Sequence, residues 1–358
     1  MIPDLLVSGV TVFPGQEHFE FVPGINVVVG GNDSGKSHLL KLCYTVARWS
    51  ADGGRKSLPD KWAEEQRLRK DLMRVFTARG LSGLTAQNRG NSHARIEASL
   101  EGEGVPEGLG NLVFEFQAGH EEEGLIIDEL PKRFLNVPVV FLAAREILAI
   151  YPSFVQVGSR FPELLDGPCW DLCKWLDGEV EGVKMSTGAE RVLARIEKII
   201  GGRVIKKDGR FFLQRPGACP IEMSLVAEGF KRLGTLSYLL RNGTVKKGSI
   251  LFWDEPEMNL NASHLPTLVK SLMGLAKMGV QVILSSHSLF LLRELVIQLS
   301  EVKNDDVCRR FFGLSVPKGT RAGVRVSFGD SLDDLGTIES LEAEIEQADR
   351  YLKLQDEL

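Results

Sequence analysis

The sequence predicts a three-layer α/β fold with a mixed sheet, an inserted helical arm and an antiparallel hairpin subdomain. Three observations carry this. Gly30 to Ser37, GGNDSGKS, follows the apolar, β-branched run Ile25 to Val29 and precedes SHLLKLCYTVARW, where Leu39, Leu40, Cys43, Val46 and Ala47 recur at helical spacing. The order is therefore strand, loop, helix. Two later runs, ILFWDEP (250–256) and GVQVIL (279–284), are apolar without alternation, as strands buried on both faces are. Residues 97–129 alternate instead, as in LVFEF, and read as antiparallel strands with one wet face.

The loop at 30–37 carries the clearest chemistry. Its glycines let backbone N–H groups approach phosphate oxygens, and the start of the following helix adds partial positive charge. Lys36 is placed to neutralise the β- and γ-phosphates, and Ser37 to hold a magnesium ion. Asn32 and Ser34 belong to the same loop and count with Gly30 and Gly35 among the nucleotide-binding candidates.

Composition bounds the rest. The chain has 358 residues, a formal net charge of −5 and five cysteines of no repeated spacing. The length suits one large or two ordinary domains, and the charge argues against coating nucleic acid over the whole surface. Without a disulfide framework, a basic leader or an apolar run of spanning length, the expectation is a cytoplasmic protein with no membrane contact. Cys169 and Cys173, four apart in CWDLC, share a helix face and are expected to pack rather than bind zinc.

In chain order, Leu5–Phe13 and Phe19–Val29 read as strands divided by a turn at Pro14 and Gly15. Residues 55–95 hold ten lysines and arginines against four acids, whereas residues 97–129 hold ten acids and no lysine or arginine. The basic part is helical in pattern, with Trp62, Leu68, Leu72, Val75 and Phe76 usable as its buried stripe. It is a solvated helix or an arm that touches nucleic acid or an acidic partner. Val137–Ala143 is the next buried strand, and Arg145 at its end is a phosphate-contact candidate. Residues 151–200 read as helices. RVIKKDGRFFLQ reads as a hairpin turning at Asp208 and Gly209.

At the end of ILFWDEP stand two carboxylates. Asp254 is placed to hold the magnesium shell and Glu255 to polarise an attacking water. His287, in SSHS after GVQVIL, ends a strand expected to lie beside that of Asp254, where it can reach the γ-phosphate or the water. A polar turn at Ala227 to Gly229 opens a helix, which is a further anion site by the physics of the first loop.

GGNDSGKS, LVAEGFKRL, ILFWDEPEMNLN and ILSSHS, in this order and spacing, resemble the ABC-type ATPase heads of the SMC and OLD class. Within it the sequence looks most like the stand-alone ATPases of bacterial anti-phage systems, including the Septu-type ATPase subunit. The resemblance implies an ATP- and Mg2+-dependent ATPase with Asp254 on the metal and Glu255 and His287 catalytic. It also implies a turn at Ala227–Gly229 that completes a neighbour's site in a dimer or larger oligomer. Two departures matter. Glu228 replaces the signature serine, leaving trans contacts to backbone N–H groups or Lys231; the usual glutamine of the loop after the first helix is not identifiable, and Arg145 stands where this group often carries a charged residue, so turnover is expected to be slow.

The domain expectation is a discontinuous ATPase head over residues 1–329, with 51–135 inserted, and a C-terminal docking or coiled-coil helix over 330–358. Its seam would be Ile338, Leu341, Ile345, Ala348 and Leu352. No nuclease constellation is found, so an effector, such as a nuclease, would be a separate protein. The alternative is a RecF-like DNA-repair ATPase that binds DNA through residues 55–95.

Overall fold

Strands whose residues are apolar on both faces collect in one central six-stranded sheet of order β14-β13-β3-β12-β11-β7. In the computed structural model, which describes residues 1–53, 60–86, 92–119, 124–161, 165–301, 304–316, 323–337 and 339–356, these strands are β3 (Ile25–Gly30), β7 (Val139–Leu142), β11 (Ile250–Asp254), β12 (Gln281–Ser286), β13 (Arg309–Ser315) and β14 (Arg325–Gly329). All run parallel except the edge strand β14. Alternate side chains serve two cores. Val28, Ile250, Phe252 and Ile283 face one layer, and Val27, Val29, Leu251, Trp253, Val282 and Leu284 face the other.

The first core lies under a five-stranded antiparallel sheet of order β2-β1-β4-β5-β6, built from β1 (Asp4–Val10), β2 (Phe13–Glu20), β4 (His93–Ser99), β5 (Leu112–Gln117) and β6 (Leu125–Glu129). Between the two sheets runs α1 (Lys36–Gly53), with thirteen of its eighteen residues buried. Beside it lies α2 (Lys61–Phe76). The second core holds α3 (Tyr151–Arg160), α4 (Gly167–Leu176), α5 (Thr187–Ile200), α6 (Glu228–Arg241), α7 (Leu265–Lys277), α8 (Leu289–Leu299) and a small sheet of β8 (Arg203–Lys207), β9 (Arg210–Gln214) and β10 (Ile221–Glu222). The predicted three-layer mixed-sheet fold is present. Asp208 and Gly209, both at positive φ, make the β8–β9 turn, and Cys169 and Cys173 are free and buried in packing.

Three expectations change. Pro14 and Gly15 lie inside β2. The chain turns earlier, at Thr11 and Val12, with Thr11 at φ 47°. The run 19–29 is two strands in different sheets, broken at Phe21–Gly24, where Pro23 has no N–H for a ladder. Within residues 51–135, α2 is followed by β4, β5 and β6, and β4 pairs along β1, so these strands extend a sheet that the N-terminus begins. Trp62 is 67% exposed and outside the stripe of Leu68, Leu72 and Val75.

The C-terminal helix, α9 (Glu339–Asp356), is present, but its described side chains from Glu342 to Gln355 are wholly or partly exposed. Ile345 and Leu352 of the expected seam are about half exposed among the described residues, Ile338 lies outside them, and so does the side chain of Leu341. No helix among the described residues is long and apolar enough to cross a membrane.

Candidate nucleotide site

Parallel pairing brings the loop and both later motifs to one edge. β12 lies between β3 and β11, with Ser286 opposite Val29 and Ser285 opposite Asp254. The carboxyl ends of three adjacent strands thus carry the glycine loop, the serine–histidine turn and the paired carboxylates. This is the crevice where ligands of such sheets bind.

The loop is folded for an anion before one arrives. Asp33 (φ 64°) and Gly35 (φ 89°) take left-handed conformations that reverse the chain into α1. Gly35 admits no side chain, because a Cβ there would lie 2.3 Å from Val12 Cγ2. Ser34 Oγ donates to Gly31 O at 2.9 Å and ties the loop across itself. Asn32 is exposed on its outer turn. Lys36 is only 6% exposed, and its Nζ donates to Gly30 O at 2.9 Å and Gly31 O at 2.7 Å. Burial lowers its pKa, while Glu255, Asp254 and Glu257 oppose the shift.

Ser37 and Asp254 are already joined, Ser37 Oγ donating to Asp254 Oδ2 at 2.9 Å. Ser285 Oγ donates to the other carboxylate oxygen. A hydroxyl and a carboxylate in contact at the mouth of a phosphate loop are the hard oxygen donors that magnesium takes from protein, the remaining positions going to phosphate and water. The residues therefore fit the ion. Among the described residues no cluster of three or more His, Cys, Asp or Glu offers a protein-only metal site, as expected where the nucleotide supplies ligands.

Glu255 leaves the strand direction at φ 49°, a conformation that costs about 1–3 kcal/mol in a non-glycine residue. Its N–H is held by Ser285 O and Oγ, both at 3.2 Å, and its Oε1 lies 2.9 Å from His287 Nδ1. The histidine is half-exposed and so meets both the carboxylate and solvent.

Three residues of the site carried no role in the sequence. Arg232 is buried, and its guanidinium donates to Glu255 O (2.6 Å), Asp254 O (2.5 Å) and Ala143 O (3.3 Å), joining the ends of β11 and β7. Ser285 holds both acidic residues. Glu257 is partly buried, accepts from Ser286 Oγ at 2.6 Å and has its Oε2 shielded from solvent without a partner among the described residues. Burial raises its pKa. In the sequence Glu257 and Ser285 stand out only as polar members of DEPE and SSHS, and Arg232 in EGFKRL carries no such signal.

Arg145 is exposed at the β7 end, with two strands between it and β3, and has no ion pair among the described residues. Glu146 turns back to the Ala149 N–H of its own loop. Gly229 is buried, and a Cβ there would meet Asn259 O at 2.4 Å, so the helix start at 227–229 packs on the loop after Glu255. Lys231 is buried with Nζ 2.6 Å from Glu228 Oε1 and is not free to reach a neighbour. What remains exposed there is Ala227, Glu228 and Leu225, the last at 80%. Next to the first turn of α1 a cavity of about 570 Å3 is lined by Thr11, Val12, His38, Phe76 and Arg79.

Residues 61–293, more than half of the chain, match the family described as "AAA domain, putative AbiEii toxin, Type IV TA system". The chain belongs to this AAA-domain family. The match spans Asp254, Glu255 and most of the surrounding motifs, while the phosphate loop precedes it. Two solved structures show that this AAA-domain protein has an SMC-head fold. One is an SMC head bound to the C-winged helix domain of ScpA, 13% identical with a TM-score of 0.54 over 93% of this chain and 98% of that one. The other is an Smc head with an extended coiled coil bound to the C-terminal domain of ScpA, derived from Pyrococcus furiosus, 12% identical with a TM-score of 0.53 over 98% and 99%. A search of curated sequences returned no match.

Proposed function

We propose that this AAA-domain ATPase binds and hydrolyses ATP with Mg2+, dimerises around it, and through that switch controls a separate effector in anti-phage defence. The observation that carries the reading is the joined set Ser37–Asp254–Ser285 and Glu255–His287 beside the loop that holds Lys36. Bound magnesium would supply Lewis-acid stabilisation of phosphate charge, held by Ser37 and Asp254. Lys36, released from the Gly30 and Gly31 carbonyls, moves its charge onto the phosphates. Glu255 takes the proton from the attacking water, and His287 orients that carboxylate. The cavity at His38 and Phe76 has room for a base, and burial and Lys41 lower the His38 pKa toward a neutral ring.

Dimerisation is supported by the exposed residues Ala227 and Glu228 at the start of α6, where a second chain can approach. A protein partner is supported by the related heads, which were solved with ScpA domains. The RecF-like alternative leans on the basic segment 55–95. Arg67 there is tied to Glu64 and stacks on Trp49, and Arg74 is tied to Asp171, which leaves fewer cations for DNA than the composition suggested.

The test is nucleotide binding and turnover in two variants. Lys36→Ala should lose ATP binding, while Glu255→Gln should bind ATP and hydrolyse it about 10²- to 10⁴-fold more slowly. Loss of binding in Glu255→Gln would make Glu255 a metal ligand, and normal affinity in Lys36→Ala would remove the reading.

A further inference from the structure

We propose that the groove between α2 and α4 binds single-stranded nucleic acid, with a base against Trp170 and phosphates on Lys70 and Lys174. The groove has a volume of about 730 Å3 and is walled by Met73 and Leu165. Four cations line it: Lys70, Arg74, Arg79 and Lys174. Lys70 and Arg79 are exposed and have no ion pair among the described residues. Lys174 is exposed, 3.2 Å from Asp171. The two nearby acids are already neutralised: Asp71 lies 3.5 Å from Arg74, and Asp171 lies 2.8 Å from Arg74 and 3.6 Å from Arg48. The groove therefore keeps a positive surplus.

Its aromatic wall is built in place. Trp170 is half-buried and backed by Gly158 of α3, where even a Cβ would come within 2.3 Å of the indole. Lys174 Nζ lies over the ring, 5.6 Å from its centroid, and a base stacking there takes its place as the exposed lysine swings onto a phosphate. Exposed cations beside a rigid aromatic platform are what single strands use, phosphates tracking the charge and bases stacking without sequence preference. Arg74, held by Asp171 and by Gly167 O at 3.0 Å, fixes the spacing of the two helices. An acidic peptide would use the cations and have no need of the indole, so the aromatic wall favours nucleic acid.

The groove also reaches the ATP site. It shares Ala78 and Arg79 with the cavity at the α1 start, and Phe76, the last residue of α2, lies 5.9 Å ring to ring from His38. A strand seated there bears on the helix end that touches the residue after Ser37.

The test is fluorescence anisotropy of the full chain with labelled oligo(dT) and oligo(U) of about 20 nucleotides, longer than one single-strand site. Binding of either is expected, with a log–log salt slope near −2 for about three phosphates neutralised, and the two oligomers distinguish DNA from RNA. Lys70→Glu with Lys174→Gln should weaken binding at least ~10-fold, and Trp170→Ala about 5- to 100-fold, with Trp170→Phe restoring most of it. The lysine pair lies on the surface, so it stays informative if Trp170→Ala unfolds. No binding, binding unchanged in the lysine pair, or equal displacement by poly-glutamate would overturn the proposal. ATP affinity of the parent chain, measured without oligonucleotide, tests the nucleotide site by itself, so failure of that reading and failure of this one are distinguishable.

Discussion

Glu257 shows how one side chain sets a pH response. Burial raises its pKa above the usual carboxylate value, with the Ser286 hydroxyl offsetting part of the shift. A raised folded pKa means that the protonated form is favoured in the fold. Its contribution is fully present below the unfolded pKa of about 4.5 and is lost as pH rises through the folded value. Glu257→Gln keeps the oxygen that accepts from Ser286 and removes the charge. Relative to the parent it should gain stability as pH rises from 4 to 8, because the parent alone must carry a partly buried charge at the upper end. Denaturation midpoints across that range check it, and a gap that stays constant with pH would refute the account. The gain should come with altered turnover, because Glu257 also belongs to the charges around Lys36 and Arg232.

At the scale of elements, Asp171 is the junction of three helices. It is buried on α4, accepts from Tyr44 Oη of α1 at 2.8 Å and Arg74 of α2 at 2.8 Å, and has Arg48 of α1 at 3.6 Å. Burial alone would raise its pKa, but the neighbouring guanidiniums of Arg74 and Arg48 outweigh it and the net shift is downward. Its stabilisation is therefore present above about pH 4 and lost as pH falls through the folded value. Asp171→Ala removes the anion shared by two partly buried guanidiniums, leaving Arg48 with Asp52 and Arg74 with Asp71, and should destabilise the chain by about 1.5–3 kcal/mol at neutral pH. Urea unfolding measures this. A loss below about 1 kcal/mol would mean that packing alone fixes α2 against α4.

For the whole molecule the question is what covers the open side of the site. Gly229 cannot test it, since its neighbour Asn259 in the same chain already forbids a side chain there. Ala227 can: it is the exposed N-cap and makes no side-chain capping bond. Ala227→Arg should leave ATP binding by one chain intact and abolish ATP-dependent dimerisation and turnover. Mixed with Lys36→Ala chains it should regain one working site per dimer, built from the intact loop of one chain and the intact helix start of the other. Light scattering and turnover of the mixture report both. A monomer of Ala227→Arg that hydrolyses at full rate would sink the trans arrangement.

What the sequence determined by itself is what local pattern encodes. The phosphate loop, the doubly buried strands at 250 and 281 and the Asp208–Gly209 hairpin were legible because backbone conformation and strand burial depend on neighbours a few residues away. Tertiary structure decided the rest. That β12 lies between β3 and β11 follows from sheet topology and puts Ser285 on Asp254. That Arg232 clasps the carbonyls of Ala143, Asp254 and Glu255 depends on a helix arriving from far along the chain. The same holds for the basic segment, whose charges read alike in sequence but divide in space: Arg67 and Arg74 are inward, paired with acids, and Lys70 and Arg79 face outward. Charge composition counts residues, whereas desolvation and ion pairing depend on which face of α2 meets α1 and α4, and only packing sets that.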